Sequence, residues 1–589
     1  MSYRAPVSDI AFTLNQIAGM QDLLEQGVFG DLDADTVNAV LDEAGRFAGE
    51  RIGPLNRQGD LEGAALKDGA VALPKGWREV YEQWVEAGWG SLQLPESFGG
   101  QGLPIMLSMA VCEMWQSASM AFSLNPMLTQ GAAEALGLHG SDDLKAVYLE
   151  KMVSGEWTGS MQLTEPQAGS DLRLLKTRAV PQPDGSYKLT GTKIFITYGE
   201  HDLTDNIVHM ILARLPDAPE GTKGISLFLV PKFLVRADGS LGERNDIRCV
   251  SLEHKLGIHA SPTCVMQMGD GGGATGWLVG EKNHGLAAMF TMMNRARLAV
   301  GIQGVGIAER ATQQAIAFAH ERRQGHLGGD AGPVPIVRHP DVRRMLLSMQ
   351  ARTAAARAIC YATARALDLA ERLPDEAGRK RAHALGSLLT PVAKAWSTDI
   401  GVEVASTGIQ VHGGMGFIEE TGAAQHLRDA RIAPIYEGTN GIQAIDLVTR
   451  KLALEQGETV RRHIAGMRAI AGEVKASNLP AFGRTAERLE EAVGALEEAT
   501  AWLLTALAGD PQAALAGATP YLRLFGVASG GCYLARGALA ESREGGPGRM
   551  TALARHFAEH HCTEARGLAG SVTEGAQSVL GAADPALAG

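Results

Sequence analysis

The stretch that decides the fold is Ile435-Tyr436-Glu437-Gly438-Thr439-Asn440-Gly441, which sets a carboxylate between an aromatic ring and a glycine. Its two glycines let the backbone approach a ligand closely, since glycine has no side chain to hold the ligand away. Apolar neighbours such as Ile432 and Ile442 partly remove water from Glu437, and desolvation raises the pKa of a carboxyl toward the range where general-base work is efficient. The stretch therefore predicts a positioned base. The alternative is a glutamate in the first turn of a helix, capped by the following threonine or asparagine.

Two other stretches precede it in the chain. The first is Leu163-Thr164-Glu165-Pro166-Gln167-Ala168-Gly169-Ser170-Asp171, a turn whose backbone N–H groups and hydroxyls suit a ring edge or a phosphate. Read alone, this turn is more typical of a helix-capping loop. The second is Lys193-Ile194-Phe195-Ile196-Thr197, which alternates as a strand does, and whose aromatic ring would be structural in most proteins.

Three further stretches lie on predicted helices: Asn294-Arg295-Ala296-Arg297, His320-Glu321-Arg322-Arg323-Gln324 and Gln410-Val411-His412-Gly413-Gly414-Met415-Gly416-Phe417. Arg322 offers a planar, permanently charged fork that suits a phosphate, and the alternative is a solvated charge run at a helix end. The glycines after Gln410 allow close backbone approach, and the alternative is a simple helix break. His412 fits a packed histidine as well as it fits a ligand.

In this order, the stretches closely resemble the motifs of the flavin-dependent acyl-CoA dehydrogenases over about 155–455, and helical spacing extends the resemblance back to residue 40. The N-terminal arm and the region 456–589 are similar to the larger bacterial branch of that family, which includes methylmercaptopropionyl-CoA dehydrogenases and broad-range fatty acyl-CoA dehydrogenases. The resemblance implies FAD as the cofactor and Glu437 as the catalytic base that removes the α-proton of an acyl-CoA thioester. Some members carry the base on an earlier helix, at the position of Ala296 here, so Glu437 is the one candidate.

The resemblance also implies the remaining site residues, none of them a metal ligand. Substrate contacts are expected from Ser170, Asn294, Arg297 and Gly438. Two departures from the family pattern are Tyr198, which bears on the outer face of the flavin, and Gly325-His326, which bears on the contact of Arg322. FAD contacts are expected from Met161, Leu163, Thr164, Ser170, Phe195, Thr197, Arg322, Gln410, Gly413, Gly414 and Thr439.

Apolar periodicity predicts a multidomain α+β chain: an N-terminal arm (1–35), an N-terminal helical domain (36–157), a central β domain (158–280), a C-terminal four-helix bundle (281–455) and a C-terminal helical extension (456–589). A short helical pattern in the N-terminal arm runs from Ile10 to Leu24. Further predicted helices begin near Asp35, with Asp35 or Thr36 as the cap, and after Pro74, and others lie at 104–139, 142–153, 283–325, 338–373, 378–409, 437–455, 487–507, 512–541 and 549–577. The predicted strands lie at 186–197, 207–215, 224–230, 249–256 and 262–268, with a hairpin turn at Pro183-Asp184-Gly185-Ser186.

Composition narrows the class of protein. The 589 residues are 45% hydrophobic and 20% charged, which is typical of a globular chain and not of a disordered one. A formal charge of −12 argues against a protein that coats nucleic acid. The six cysteines show no Cys-x-x-Cys spacing, so neither a zinc site nor a disulfide framework is predicted. With no secretory signal pattern and no run of about 18 apolar residues, a cytoplasmic location without a membrane span is expected.

The resemblance thus implies oxidation of an acyl-CoA, either a fatty acyl-CoA or 3-methylmercaptopropionyl-CoA, to a trans-2-enoyl-CoA. Electrons are expected to pass to an electron-transfer flavoprotein, and the chain is expected to form a homodimer that binds no nucleic acid. Three alternatives remain: an acyl-CoA oxidase that uses oxygen, a DNA-associated flavoprotein of the same fold, and a catalytically idle scaffold. The acidic terminal region disfavours the second, and the intact motifs disfavour the third.

Overall fold

The computed structural model describes residues 3–328 and 332–581, apart from the side chains of 290–294. Its N-terminal region is helical. Asp33 accepts a hydrogen bond from the backbone N–H of Thr36 at 2.8 Å, so this residue caps the first long helix, and the predicted caps at Asp35 or Thr36 are wrong. The helices are α1 (Val7–Phe12), α2 (Met20–Glu25), α3 (Ala34–Phe47), α4 (Leu55–Glu62), α5 (Trp77–Glu86), α6 (Ile105–Ala118), α7 (Met120–His139), α8 (Asp142–Leu144) and α9 (Glu150–Ser154).

The single helical stretch predicted at 104–139 is two helices. Between α6 and α7, Ser119 adopts an extended conformation, with φ −158° and ψ 105°, which ends the first helix. The Ser119 side chain accepts a hydrogen bond of 3.4 Å from the backbone N–H of Phe122 and so caps the second helix. The apolar pattern continues through the break because both helices are buried, so periodicity alone does not reveal it.

The central region is a β domain, as predicted. All five predicted strands are confirmed, as Tyr187–Thr197, Ile207–Ala213, Ser226–Pro231, Ile247–Leu252 and Thr263–Met268. Five further strands of this domain were not predicted: Thr158–Gln162, Arg178–Pro181, Phe233–Val235, Leu241–Arg244 and Ala274–Val279. Of the described residues, an eight-stranded sheet takes the order β10-β11-β5-β12-β7-β6-β3, with β4 paired to β5; β3 and β6 run parallel. The strands are β1 (Ala65–Lys67), β2 (Ala70–Ala72), β3 (Thr158–Gln162), β4 (Arg178–Pro181), β5 (Tyr187–Thr197), β6 (Ile207–Ala213), β7 (Ser226–Pro231), β8 (Phe233–Val235), β9 (Leu241–Arg244), β10 (Ile247–Leu252), β11 (Thr263–Met268) and β12 (Ala274–Val279).

The predicted hairpin turn joins β4 to β5. Asp184 accepts hydrogen bonds from the backbone N–H and the hydroxyl of Ser186, at 3.0 and 2.7 Å, and Gly185 has φ 85°. The side chain of an aspartate thus folds the backbone back on itself, which is why this residue type favours turns. The two strands are antiparallel, so the turn prediction is confirmed.

Long helices return after the β domain. The predictions at 283–325, 338–373 and 378–409 are confirmed as α10 (Gly285–Glu321), α11 (Pro340–Arg372) and α12 (Glu376–His412). At Gly304 of α10, an added Cβ atom would lie 2.2 Å from the backbone oxygen of Ser397, so only glycine lets α10 and α12 approach this closely. The helices are α10 (Gly285–Glu321), α11 (Pro340–Arg372), α12 (Glu376–His412), α13 (Ala423–Ala430), α14 (Asn440–Asp446), α15 (Glu458–Ser477), α16 (Thr485–Gly509), α17 (Pro511–Ala516), α18 (Ala518–Glu544), α19 (Arg549–His560), α20 (Ala565–Glu574) and α21 (Ala576–Leu580).

The C-terminal extension packs on the bundle. An added Cβ atom at Gly526 of α18 would lie 2.3 Å from the ring of Trp396 on α12. Glu403 of α12 accepts hydrogen bonds from Arg352 of α11, at 2.7 Å, and from Arg523 of α18, at 2.9 Å. The helices predicted at 512–541 and 549–577 are each interrupted, as α17–α18 and α19–α20, and α15 was not predicted.

Contacts within the described residues divide the chain into two compact units, one of Met1–Arg46, Ile105–Ser117 and Arg297–Gly589, and one of Phe47–Pro104 and Ala118–Ala296. In the first unit, α6 is tied to α11 by a buried ion pair of 2.6 Å between Glu113 and Arg357. In the second unit, Tyr198 donates a 2.7 Å hydrogen bond to the backbone oxygen of Ala121 and so ties α7 to the β domain. The five predicted segment boundaries stay predictions.

No helix within 3–328 or 332–581 is both long enough and apolar enough to cross a membrane.

Candidate active site

Glu437 lies in the loop between α13 and α14 and is half-buried. Its φ is 54°, in the left-handed region, which costs a residue other than glycine about 1–2 kcal/mol. A residue in this conformation does not continue an α-helix, so the alternative of a first-turn glutamate is wrong. The helix predicted at 437–455 is confirmed in part, as α14 and the π-helical stretch Leu447–Lys451 that follows it. Helix α14 begins at Asn440, and Thr439 is its N-cap residue with no side-chain capping bond. Because strained backbone concentrates at functional sites, this geometry favours a functional glutamate.

Hydrogen bonds hold this loop closed. The backbone N–H of Asn440 donates to the backbone oxygen of Pro434 at 2.9 Å, across the loop from one end to the other. The phenol of Tyr436 donates a short hydrogen bond to the side-chain oxygen of Gln303 on α10. The side-chain amide of Gln443 donates to the backbone oxygen of Gly438 at 3.1 Å. Residues 434–440, which we call the base loop, are therefore held by one hydrogen bond across the loop, one to α10 and one to α14.

Gly438 and Arg297 lie next to each other. Gly438 has φ 82°, and an added Cβ atom would lie 2.7 Å from Nε2 of Gln443 and 3.8 Å from Nη2 of Arg297. Arg297 is buried, and its Nη1 lies 3.5 Å from Oδ2 of Asp446 on α14. The structure therefore brings together Glu437, Gly438, Thr439 and Arg297, four of the residues that the sequence singled out.

Burial and the neighbouring charges shift the pKa of Glu437 in opposite directions. Burial raises the pKa of its carboxyl, whereas the nearby cations of Lys394 and Arg297 lower it, and the net pKa is above the ordinary value. A carboxylate whose pKa is raised toward neutrality is a more effective base at neutral pH than a freely solvated one. Desolvation also removes the water that would compete for the proton.

In the second unit, the loop after β3 is built around Glu165. This buried carboxylate accepts hydrogen bonds from the backbone N–H groups of Lys176 and Thr177, at 2.7 and 3.0 Å, and from Nζ of Lys193 at 2.9 Å. Nζ of Lys193 also donates to the backbone oxygen of Leu163 at 2.9 Å, and Thr164 accepts from the backbone N–H of Ile194 at 3.0 Å. The loop connects β3 to β4, and at its end the side chain of Asp171 accepts a 3.0 Å hydrogen bond from the backbone N–H of Arg173 and caps a short 3-10 helix, Leu172–Leu174. The helix-capping alternative is therefore confirmed for this end of the loop.

Phe195 is the strained residue of β5. Its φ is 60°, and 59% of its surface is exposed, although the residue lies inside a strand. The register between β5 and β11 shifts here, because two residues of β5, Ile194 and Phe195, oppose only Val265. Such a β-bulge re-aims a side chain, and bulges are common next to active sites. An exposed aromatic ring held in this way suits stacking against a planar ligand.

Gln162 supplies a second observation near the same loop. Its side chain is fully buried, and among the described residues neither its amide nitrogen nor its amide oxygen has a hydrogen-bond partner. Since buried polar groups are nearly always paired, an orphaned amide indicates a missing polar ligand or water. The exposed Phe195 ring fits the planar face of a flavin, and the unpaired Gln162 amide fits its polar edge.

The other expected FAD contacts in this unit have separate positions. Met161 and Thr197 are half-buried at the ends of β3 and β5. Ser170 is exposed, beyond a turn closed by reciprocal backbone hydrogen bonds of 3.0 and 2.9 Å between Glu165 and Ala168. Tyr198 is fully buried on the α7 side, so the expectation that it bears on the outer face of the flavin is wrong.

Four expected FAD contacts lie at helix ends of the first unit. Arg322 follows the last residue of α10 and is exposed, with Nη2 at 3.3 Å from Oε1 of Gln324. Gln410, Gly413 and Gly414 are exposed at the end of α12, where Gly413 has φ 59°. The side chain of Asn294 lies outside the described residues.

The structure shows that His412 is a packed residue. Its Nδ1 lies 2.7 Å from the backbone oxygen of Gly408, and its ring stacks on Phe318 at a centroid distance of 4.5 Å. Four residues of these sites were not predicted in the roles that the structure gives them: Lys394, Asn440, Gln303 and Gln162. Of these, Lys394 carried a usable signal, since a lysine in the run 388–396, whose other residues are uncharged and mostly apolar, indicates a buried charge.

Models of four families match the chain: the N-terminal domain of acyl-CoA dehydrogenase at 34–156, its middle domain at 160–270, its C-terminal domain at 283–452, and an acetyl-CoA dehydrogenase C-terminal-like domain at 459–583. The chain is 50% identical over 546 residues to 3-methylmercaptopropionyl-CoA dehydrogenase of Ruegeria pomeroyi, covering 92% of each. It is 35% identical over 477 residues to broad-specificity linear acyl-CoA dehydrogenase FadE5 of Mycobacterium tuberculosis, covering 79% of this chain and 77% of that protein.

The fold is similar to that of Caenorhabditis elegans ACDH-11, solved in complex with C11-CoA, with a TM-score of 0.79, 22% identity, and coverage of 98% of this chain and 95% of that one. The predicted fold class, enzyme class and FAD cofactor are confirmed by these comparisons. The match to the larger branch is likewise confirmed, because the extension has its own family match. The chain belongs to the acyl-CoA dehydrogenase family.

Proposed function

We propose that this chain catalyses the FAD-dependent α,β-dehydrogenation of an acyl-CoA thioester, with Glu437 as the base. The observation that carries this proposal is the left-handed, half-buried Glu437 beside two buried cations. Family membership supplies the reaction class, and the loop geometry supports the assignment of the residue.

Glu437 removes the α-proton of the acyl group and holds it on its carboxyl. Bound FAD would supply the acceptor for the β-hydrogen, which leaves as a hydride, so that the substrate loses two hydrogens and becomes a trans-2-enoyl-CoA. The backbone N–H of Glu437 is placed in our proposal against the thioester oxygen, because stabilising the developing enolate makes the α-proton removable. Arg297 supplies a fixed positive charge behind Gly438, where negative charge develops.

The FAD contacts proposed for the second unit are Met161, Leu163, Thr164, Ser170, Phe195 and Thr197. Their support is the exposed Phe195 ring and the unpaired Gln162 amide. Arg322, Gln410, Gly413, Gly414 and Thr439 are proposed for the first unit by family resemblance, as are the substrate contacts of Ser170, Asn294, Arg297 and Gly438.

For the substrate, we propose 3-methylmercaptopropionyl-CoA or a linear fatty acyl-CoA of similar length. The support is the 50% identity over 92% of both chains to an enzyme named for 3-methylmercaptopropionyl-CoA. A panel of saturated acyl-CoA thioesters of graded length, together with 3-methylmercaptopropionyl-CoA, is assayed with a dye acceptor, and the product is identified by mass. We expect loss of two hydrogens, with the highest kcat/KM on 3-methylmercaptopropionyl-CoA. Absence of any enoyl-CoA product across the panel would contradict the proposal.

As the electron acceptor, we propose an electron-transfer flavoprotein. A solved structure described as an electron transferring flavoprotein of Acidaminococcus fermentans is 25% identical over 72% of this chain. Substrate-reduced enzyme is mixed with such an acceptor or with air. Fast reoxidation by the acceptor and slow reoxidation by air are expected, and fast formation of peroxide would indicate the oxidase instead.

We also propose a homodimer, on the support of the exposed segment 413–418, in which Phe417 is 87% exposed. An exposed aromatic next to other apolar side chains is typical of an interface. Light scattering should give the mass of two chains, and a tetramer would contradict this. The cytoplasmic location stays a prediction.

A further inference from the structure

Lys394 lies in the middle of α12 and is fully buried. Its Nζ donates a hydrogen bond to Oδ1 of Asn440 at 2.9 Å. A buried ammonium is costly unless it is paired and hydrogen-bonded, so a lysine at this position needs a reason other than packing. The reason lies in the residue that it binds, since Asn440 is the last residue of the base loop.

Asn440 connects the base loop to α12. Its side-chain nitrogen lies within hydrogen-bond distance of the backbone oxygen of Ala395 (3.0 Å), Oγ1 of Thr398 (3.0 Å) and Oδ1 of Asp399 (2.8 Å). Its backbone N–H closes the loop on Pro434. With Lys394 on its oxygen, the amide of Asn440 is held at both ends. The position of the loop that carries Glu437 is therefore set by one turn of α12.

The charges facing Lys394 come from three elements. Burial lowers the pKa of Lys394 to about 7, the carboxylates of Glu437 and Asp399 raise it, and Arg297 on α10 lowers it. For Glu437, burial raises the pKa, and Lys394 lowers it, followed by Arg297. Lys394 therefore carries a positive charge below about pH 7. In this pH range the Glu437 carboxyl must already be ionised if it is to accept a proton.

We propose that Lys394 is a positioning residue for the base: it fixes the loop of Glu437 through Asn440 and supplies a buried positive charge that keeps the Glu437 carboxyl ionised. This inference rests on the proposed function of Glu437. Lys394 acts on the reaction through Asn440 and Glu437. Its substitution should therefore change the pH dependence of the reaction as well as the rate.

The test is the pH profile of kcat/KM for the FAD-loaded enzyme. Lys394→Met removes both the charge and the hydrogen bond, Lys394→Gln keeps a group that can bond Asn440 without the charge, and Lys394→Arg keeps the charge. The matched control is Lys451→Met, since Lys451 is a half-buried lysine that faces Asp446. FAD absorbance and thermal unfolding verify that each variant folds and binds its cofactor.

Without the charge, the acid limb of the profile should move toward higher pH by about one to three units, because an opposite charge at close range shifts a carboxyl pKa by this amount. At the pH where wild type is half-maximal, kcat/KM should fall by about fivefold for a shift of one unit, and by more for a larger shift. In Lys394→Arg and Lys451→Met, the acid limb of the kcat/KM profile should stay at the wild-type pH. If Lys394→Met does not fold, Lys394→Gln carries the same expectation.

The inference is overturned if Lys394→Met and Lys394→Gln, or Lys394→Gln alone where the methionine variant does not fold, keep the wild-type limb while Glu437→Gln is inactive. If Glu437→Gln is itself active, the proposed function fails, whatever the lysine variants do. The two failures are therefore distinguishable within one set of proteins.

Discussion

Nζ of Lys193 lies 2.9 Å from Oε1 of Glu165, and both side chains are buried. This ion pair joins β5 to the loop that carries Leu163 and Thr164, two of the proposed FAD contacts. Glu165 also accepts hydrogen bonds from the backbone N–H groups of Lys176 and Thr177, so the ion pair holds both ends of that loop in place.

Lys193→Met should therefore weaken FAD binding as well as stability. Removing one partner leaves a buried charge uncompensated, which costs about 3–5 kcal/mol. FAD fluorescence titration and urea unfolding measure the two effects. The matched control is Arg173→Ala, which removes an exposed partner of Asp171 near the same loop and should change neither quantity measurably. An unchanged FAD affinity in Lys193→Met would contradict the assignment of this loop to FAD.

Phe195→Ala separates a ligand-binding role from a structural one. The ring is 59% exposed at a φ of 60°, so its removal should leave stability almost unchanged. FAD affinity should fall roughly fivefold, in keeping with a stacking contribution of about 1 kcal/mol. Leu256→Ala, at another exposed apolar side chain of the same domain, should leave FAD affinity unchanged. Equal FAD affinity in both variants would show that the Phe195 ring does not contact the cofactor.

His209 should make the fold sensitive to acid. Burial, followed by the charges of Lys232 and Arg244, lowers its folded-state pKa to about 3, from an ordinary value of 6.5. A depressed pKa stabilises the fold above the unfolded-state pKa, and this contribution is lost as the pH falls from 6.5 toward 3.

The loss is about 1.4 kcal/mol per pH unit for one proton. His209→Gln should reduce the wild-type slope by that amount between pH 6.5 and 4.5 in urea unfolding, while other buried histidines with lowered pKa values, such as His201 and His463, keep their contribution. His254→Gln, at an exposed histidine of the same domain, should leave the slope unchanged. An identical slope in wild type and His209→Gln would mean that another group governs acid unfolding.

Much of the fold could be predicted from the sequence. The change from helical to alternating periodicity near residue 158, the strands β5, β6, β7, β10 and β11, and the long helices of the bundle follow from apolar spacing. Strand β3 could not be found in this way, because it reads Thr158-Gly159-Ser160-Met161-Gln162 and lacks an apolar alternation. Two of its polar side chains are paired inside the fold, Thr158 with Nε2 of His201 at 2.9 Å and Ser160 with Nδ1 of His209 at 2.7 Å. Pairing of this kind depends on tertiary structure.

The site was predictable in part. The motifs identified Glu437, Arg297 and Gly438, which the structure brings together. The left-handed backbone of Glu437 was not predictable, because nothing local distinguishes it from the start of a helix. Asn440 is a further example: from the sequence it reads as a cap, whereas its side chain binds Lys394, 46 positions earlier in the chain. Contacts between distant residues of this kind decide the position of the base.

The most direct test of the central claim is the turnover of Glu437→Gln with its best substrate from the acyl-CoA panel. The amide keeps the shape of the side chain but cannot accept the α-proton, so kcat should fall by about 10²–10⁴-fold while the yellow FAD stays bound. Glu420→Gln, at an exposed glutamate of the same unit, should turn over at the wild-type rate. A Glu437→Gln enzyme with kcat near that of wild type would contradict the account.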